Sequence, residues 1–309
     1  MGDSPVTIRV GAGFTSRSAH ATLREACSAL GLDDGGAELI RFGQNAIYRL
    51  RHQPYVVRIA RTADPADVRT EVRAARWLAD MDFPATRLAD LDHIAQPVEV
   101  GGRLVTVWDL VRQGPDRPTM TDLGRILRGL HDLASPPDLE LPLFEPFPNV
   151  PRRLALAPDS VSQADTEFLR RRSAELAGAY ASLSFELPTG PIHGDAHPGN
   201  LMRTESGEVL IGDLECFAAG PREWDIALPA AYRYGFGWLT DPEYQAFVDV
   251  YGYDVAKATC FPVLRSIREL NMTAWLMQNV DENETIRAEF QRRMADLRDP
   301  DAPRRWRPF

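Results

Sequence analysis

The sequence predicts an α+β protein of two lobes, a small antiparallel sheet lobe followed by a larger, mostly helical one. Two observations carry this. Three short runs of β-branched and aromatic residues crowd the first third of the chain, and from Thr121 onward apolar residues recur at helical spacing. The 309 residues, 44% of them hydrophobic and 26% charged, supply apolar surface for one large domain or two closely packed smaller ones, which excludes a disordered or fibrous chain.

In chain order, Glu38 to Arg41, Ala46 to Leu50 and Tyr55 to Ala60 are the three runs, parted by Gly43 and by His52-Gln53-Pro54, and read as consecutive antiparallel strands. Asp64 before Pro65 is an N-cap with proline at the first helical position, and Val68, Val72, Ala75 and Ala79 continue at helical spacing. Gln96 to Val100 and Arg103 to Leu110 form a hairpin about Gly101-Gly102, the pair that type I′ turns favour. The Pro-rich stretch Ser135 to Pro151 breaks the periodicity and reads as an ordered insertion loop. Around it, Leu123, Ile126, Leu127, Leu130 and Leu133 mark one amphipathic helix and Ala164 to Leu183 another. Leu201 to Arg203 and Glu208 to Gly212 read as a second short hairpin. Two helical stripes close the chain, Leu264, Ile267, Leu270, Ala274, Met277 and then Ile286, Phe290, Met294, Leu297.

The net charge of −9 argues against non-specific binding to nucleic acid or anionic membranes. No apolar run approaches the ~20 residues a bilayer demands and the N-terminus lacks a signal pattern, so the expectation is a cytoplasmic protein. Cys27, Cys216 and Cys260 are odd in number and widely spaced, which predicts reduced thiols. Lys257 is the sole lysine among 35 basic residues, so a site that accepts either cation is expected to show Arg.

The segment Ile192-His193-Gly194-Asp195-Ala196-His197-Pro198-Gly199-Asn200 is dense in polar residues and lacks apolar periodicity, which makes it poor core and a candidate site. A hairpin that leaves from Asn200 and returns to Asp213 brings its ends side by side, so Asp195, Asn200 and Asp213 can converge. Two carboxylates and an amide oxygen suit Mg2+, which keeps the rest of its shell for water and phosphate. The spacing His193-x-Asp195-x-x-x-x-Asn200 also matches a kinase catalytic loop.

With the following Gly212-Asp213-Leu214-Glu215 and Arg222-Glu223-Trp224-Asp225-Ile226-Ala227, this segment resembles the aminoglycoside phosphotransferase and choline kinase branch of the protein-kinase-like fold, from about Glu38 to Ala227. The resemblance implies a nucleotide-covering lobe over 1–107, a hinge over 108–112 and a catalytic lobe over 113–309. It implies that Asp195 accepts the substrate hydroxyl's proton, that Asn200 and Asp213 bind Mg2+, and that His193 and Asp225 support the loop. Phe42-Gly43-Gln44-Asn45, through Gly43 and Asn45, would cover phosphate. Arg58 would stand for the usual phosphate-binding lysine and pair with Glu71, and the backbone of Trp108, Asp109 and Leu110 would read adenine. The implied activity moves the γ-phosphate of ATP, with GTP also open, to a hydroxyl of a small molecule such as an antibiotic, a sugar or an amino-alcohol. The oligomeric state stays open.

Other readings stand beside these. His193, Asp195 and His197 could form the metal triad of a hydrolase. Asp225 could cap a helix at Ile226 to Leu228. Tyr232, Tyr234, Trp238 and Trp275 could stack on a ligand or fill a core. A catalytically silent kinase-like binding protein is the alternative function.

Overall fold

A computed structural model describes residues 14–43, 45–61, 65–91, 94–135 and 139–308. Asp64, expected as an N-cap, and Gln44 of the expected phosphate-covering turn lie outside these residues. The chain forms two compact units, one up to Arg117 together with Asn200–Phe217, the other Pro118–Gly199 with Ala218–Phe309. The second hairpin thus belongs with the sheet unit.

The first unit holds a five-stranded antiparallel sheet in the order β1-β2-β3-β5-β4. Its strands are β1 (Glu38–Phe42), β2 (Asn45–Arg49), β3 (Tyr55–Ala60), β4 (Val98–Val100) and β5 (Arg103–Asp109). Gly101 and Gly102 both take positive φ, 57° and 71°, in the β4–β5 turn that the Gly-Gly pair predicts. Helix α1 (Ser16–Leu30) has no counterpart in the sequence reading. It is capped by Thr15 and ends at Gly31 in the left-handed region, and it lays Ala19, Leu23, Ala26, Cys27 and Leu30 on Tyr48, Val57, Ile59, Val105 and Val107.

Because side chains alternate across a strand, burying Val57 and Ile59 under α1 turns Arg58 to the opposite face, where it aligns with Ile47 and Thr106. Helix α2 (Pro65–Asp80) follows, burying Glu71, Val72, Ala74, Ala75, Trp77 and Leu78. Of the expected stripe, Val72 and Ala75 are buried, Val68 is half-buried and Ala79 is exposed. The hairpin of β7 (Leu201–Arg203) and β8 (Val209–Ile211) is pinned to this unit where Thr86 N donates to Ile211 O and Ile211 N to Pro84 O, at 2.9 and 3.0 Å.

The second unit is helical apart from a two-stranded ribbon of β6 (Thr189–Ile192) and β9 (Ala218–Pro221). Its helices are α3 (Met120–Asp132), α4 (Val150–Ala155), α5 (Gln163–Ala181), α6 (Glu223–Ala230), α7 (Asp241–Tyr251), α8 (Phe261–Met277) and α9 (Glu284–Arg298). A π-helical turn, Ala231–Phe236, continues α6. α3 lies close on α7 because Gly124 has no side chain, a Cβ there falling 3.1 Å from Phe247 O. The expected insertion loop ends early, since Val150 and Pro151 open α4; its 142–144 stretch is tied to β9 at Ala219. Asp225 sits inside the first turn of α6 rather than capping it. All three cysteines are free thiols.

Candidate active site

In the first unit the chemistry gathers on Arg58. Its Nη1 donates to Glu71 Oε1 on α2, its Nη2 donates to Glu215 Oε2 at 2.5 Å, and Asp213 Oδ1 lies 3.8 Å from the same Nη2. Asn45 Nδ2 reaches Glu215 Oε2 at 3.4 Å. One guanidinium therefore faces three carboxylates. A planar fork presents Nη1 and Nη2 to two carboxylates in one fixed geometry, where an ammonium would meet them as a rotatable point charge, which gives arginine a use of its own here. The Glu71 carboxyl is raised to about 7 as the balance of burial, which lifts it most, Arg58, which pulls it down, and the charges of Glu215 and Asp213, which push it up.

Asp213 follows β8 with φ 60° and ψ 57°, the left-handed region that Asp tolerates only at a cost. The hairpin closes where Gly212 N donates to Asn200 O at 2.9 Å, so Asn200 and Asp213 flank one strand pairing, as the spacing requires. The donor set suits Mg2+: the carboxylates exceed the cations, and the acceptors are oxygens. Among the described residues no three His, Cys, Asp or Glu side chains are placed to hold a metal ion together, so the His193-Asp195-His197 hydrolase triad is not formed.

In the second unit the polar loop after β6 is gripped from beneath. Asp225, wholly buried, accepts from His193 N at 2.7 Å and from Gly194 N at 2.8 Å, and His131 Nε2 of α3 lies 3.2 Å from the same carboxylate. Burial raises the Asp225 carboxyl, but the bond and charge of His131, the charge of His193 and the His193 amide outweigh it and hold the group below the usual carboxylate range. His193 is also buried, and its Nδ1 accepts from Asp195 N at 3.3 Å. Asp195 itself stays half exposed, with His197 Nε2 3.8 Å from Oδ2 and Arg268 Nη1 3.6 Å from Oδ1. Burial, then the charge of Asp195, raises the Tyr232 hydroxyl to about 12 against the pull of Arg268, which keeps that phenol neutral.

The structure brings Asn45, Arg58, Glu71 and Asp213 together in one unit and His193, Asp195 and Asp225 together in the other. The expected adenine-reading segment behaves differently. Asp109 N donates to Arg87 O and Leu110 N to Pro54 O, at 2.9 and 2.7 Å, while the Trp108 indole donates to Thr106 Oγ1. Those donors are spent inside the unit. Gly43 N likewise donates to Asn45 O at 3.0 Å. Glu215 and Arg268 are the additions that the sequence left without a role. Of the aromatic residues, Tyr232 and Trp238 pack with Phe236 and Trp306, and Tyr234 alone is largely exposed.

The chain is similar in fold to several solved kinases. Amicoumacin kinase hAmiN, solved with AMP-PNP, Ca2+ and Ami, aligns over 95% of this chain and 98% of its own, with TM-score 0.72 and 15% identity. A microcompartment-associated aminopropanol kinase gives TM-score 0.65 at 17% identity, covering 90% of this chain and 95% of its own. The spectinomycin phosphotransferase APH(9)-Ia, with ADP and spectinomycin, gives 0.62 at 17% over 92% and 95%. No protein of curated function matches. The family model for the phosphotransferase enzymes, APH, matches residues 38–270, from β1 to the middle of α8, and this chain belongs to that family.

Proposed function

We propose that the protein transfers the terminal phosphoryl group of ATP to a hydroxyl of a small molecule. The observation that carries this reading is the Arg58 cluster, one cation among Glu71, Glu215 and Asp213 on a single unit. Such a net negative site is satisfied by a divalent cation arriving with phosphate. Arg58 holds phosphate oxygens and Glu71 holds Arg58. With the amides of Asp109 and Leu110 engaged elsewhere, their carbonyls would be the backbone groups left to read the base's amino group. Asn200 and Asp213 would bind Mg2+, which supplies charge neutralisation on the phosphates when present.

Asp195 accepts the acceptor hydroxyl's proton as the new O–P bond forms and the bond from phosphorus to the β,γ-bridging oxygen breaks. His193 and Asp225 hold the loop that carries it. The acceptor is a neutral antibiotic, a sugar or an amino-alcohol rather than a polycation, since residues 218–309, with 14 acidic against 12 basic residues, make no strong cation trap. ATP as donor sets the reaction in the cytoplasm. No helix among the described residues is long and apolar enough to cross a membrane.

Calorimetry with ATP and with GTP tests the nucleotide site. Binding is expected to require Mg2+ and to weaken at least about tenfold in Asp213→Asn, and a folded wild type that binds neither nucleotide would leave a silent binding protein instead. Spectinomycin, kanamycin, choline and aminopropanol then form the acceptor panel, and turnover confined to kanamycin would contradict the substrate reading.

Glu71 adds a pH dependence. Its carboxyl ionises only above about 7, and only the ionised form pairs with Arg58. The KM for ATP is expected to rise as pH falls through that value, and Glu71→Gln to show a high KM at every pH. A variant profile that keeps the wild-type slope would show that another group titrates.

A further inference from the structure

Helix α8 carries a charge that its packing does not call for. Arg268 is 5% exposed on a helix whose neighbours Leu264, Ile267 and Leu270 are wholly buried. An apolar residue would fill such a position without the cost of stripping water from a guanidinium. Its plane lies over Trp224 at 3.7 Å from the ring centroid, and Nη2 donates to Trp224 O at 3.1 Å. Trp224 in turn donates from Nε1 to Gly194 O at 2.7 Å, so one indole holds both the guanidinium and the residue preceding Asp195. Stacked and bonded, Arg268 can turn little, and Nη1 stands 3.6 Å from Asp195 Oδ1.

We propose that Arg268 is the positioning residue of Asp195, holding Oδ1 so that Oδ2 meets the acceptor hydroxyl. The inference rests on the reading of Asp195 as the proton acceptor. The Asp195 side chain is about half exposed, and a carboxylate so open samples rotamers in which neither oxygen faces a hydroxyl. A fixed cation on one oxygen removes that freedom before the acceptor arrives, which lowers the barrier without touching the nucleotide.

The test uses Mg·ATP with water as acceptor, read as phosphate release from the full chain. Arg268→Gln is expected to lower kcat about 10²-fold with the KM for ATP within about twofold of wild type. In an Asp195→Asn background the same change is expected to have no further effect, because the residue acts through that carboxylate. Wild-type kcat in Arg268→Gln, or an equal loss in both backgrounds, overturns the proposal. Should Arg268→Gln fail to fold, Arg268→Lys carries the test: it keeps the charge and loses the planar stack, so a partial loss of kcat at constant KM supports the role and wild-type kcat refutes it. Asp195→Asn as active as wild type would instead sink the reading of Asp195.

Discussion

Asp195→Asn is expected to lower turnover about 10³-fold while Mg·ATP binds within about twofold of its wild-type affinity. The amide keeps the volume of the carboxylate and removes its basicity, so in the proposed reaction the hydroxyl loses the group that would take its proton. Nucleotide affinity is spared because the cluster on Arg58 belongs to the other unit's residues, Glu71, Asp213 and Glu215. The Asp195 amide's bond to His193 Nδ1 comes from the backbone and survives the change. Steady-state kinetics beside calorimetry checks both halves. A variant that loses nucleotide binding in step with turnover would mean that Asp195 serves the metal rather than the hydroxyl.

Much of this site was legible because its chemistry is local in the chain. Asn200 and Asp213 are joined by a hairpin whose turn residues are plain, and the strand runs around Arg58 alternate as the sheet demands. What escaped has distant partners or weak local signals. Glu215 meets Arg58 across 157 positions, and His131 meets Asp225 across 94. Arg268 lies beside Ile267 on an ordinary apolar stripe, where a charge reads as a surface residue until the fold buries it. Helix α1 carries a regular stripe of Ala19, Leu23, Ala26, Cys27 and Leu30, but three of these five are small side chains that mark an apolar face only weakly. The β6–β9 ribbon is built from Thr-Gly-Pro-Ile and Ala-Ala-Gly-Pro, whose Gly, Pro and Ala disfavour strands and sit in one only because the surrounding fold holds them.

The buttress beneath the loop is where a single change should do most harm to folding. Asp225→Ala leaves the amides of His193 and Gly194 without their acceptor and His131 without its carboxylate, all in a wholly buried place. Breaking a buried charged network by removing one partner costs about 3–5 kcal/mol, which in a unit of this size lowers Tm by about 10 °C. Asp225→Asn should lose less, about 2 kcal/mol, since one amide keeps an oxygen to bond while the other meets an NH2. The acid side of the stability curve separates this bonding from mere volume. Because the folded-state pKa of Asp225 is depressed, its contribution is present above the ordinary carboxylate pKa and is lost as pH falls toward the depressed value. Thermal unfolding followed from pH 7 down to about 3 should therefore fall more steeply in wild type than in either variant. Parallel curves would mean that Asp225 is held by packing alone. Turnover should fall with the loop: a loosened His193-Gly194 backbone no longer fixes Asp195, and kcat lost in Asp225→Asn at a temperature where the protein is still folded would show that the buttress serves the chemistry as well as the fold.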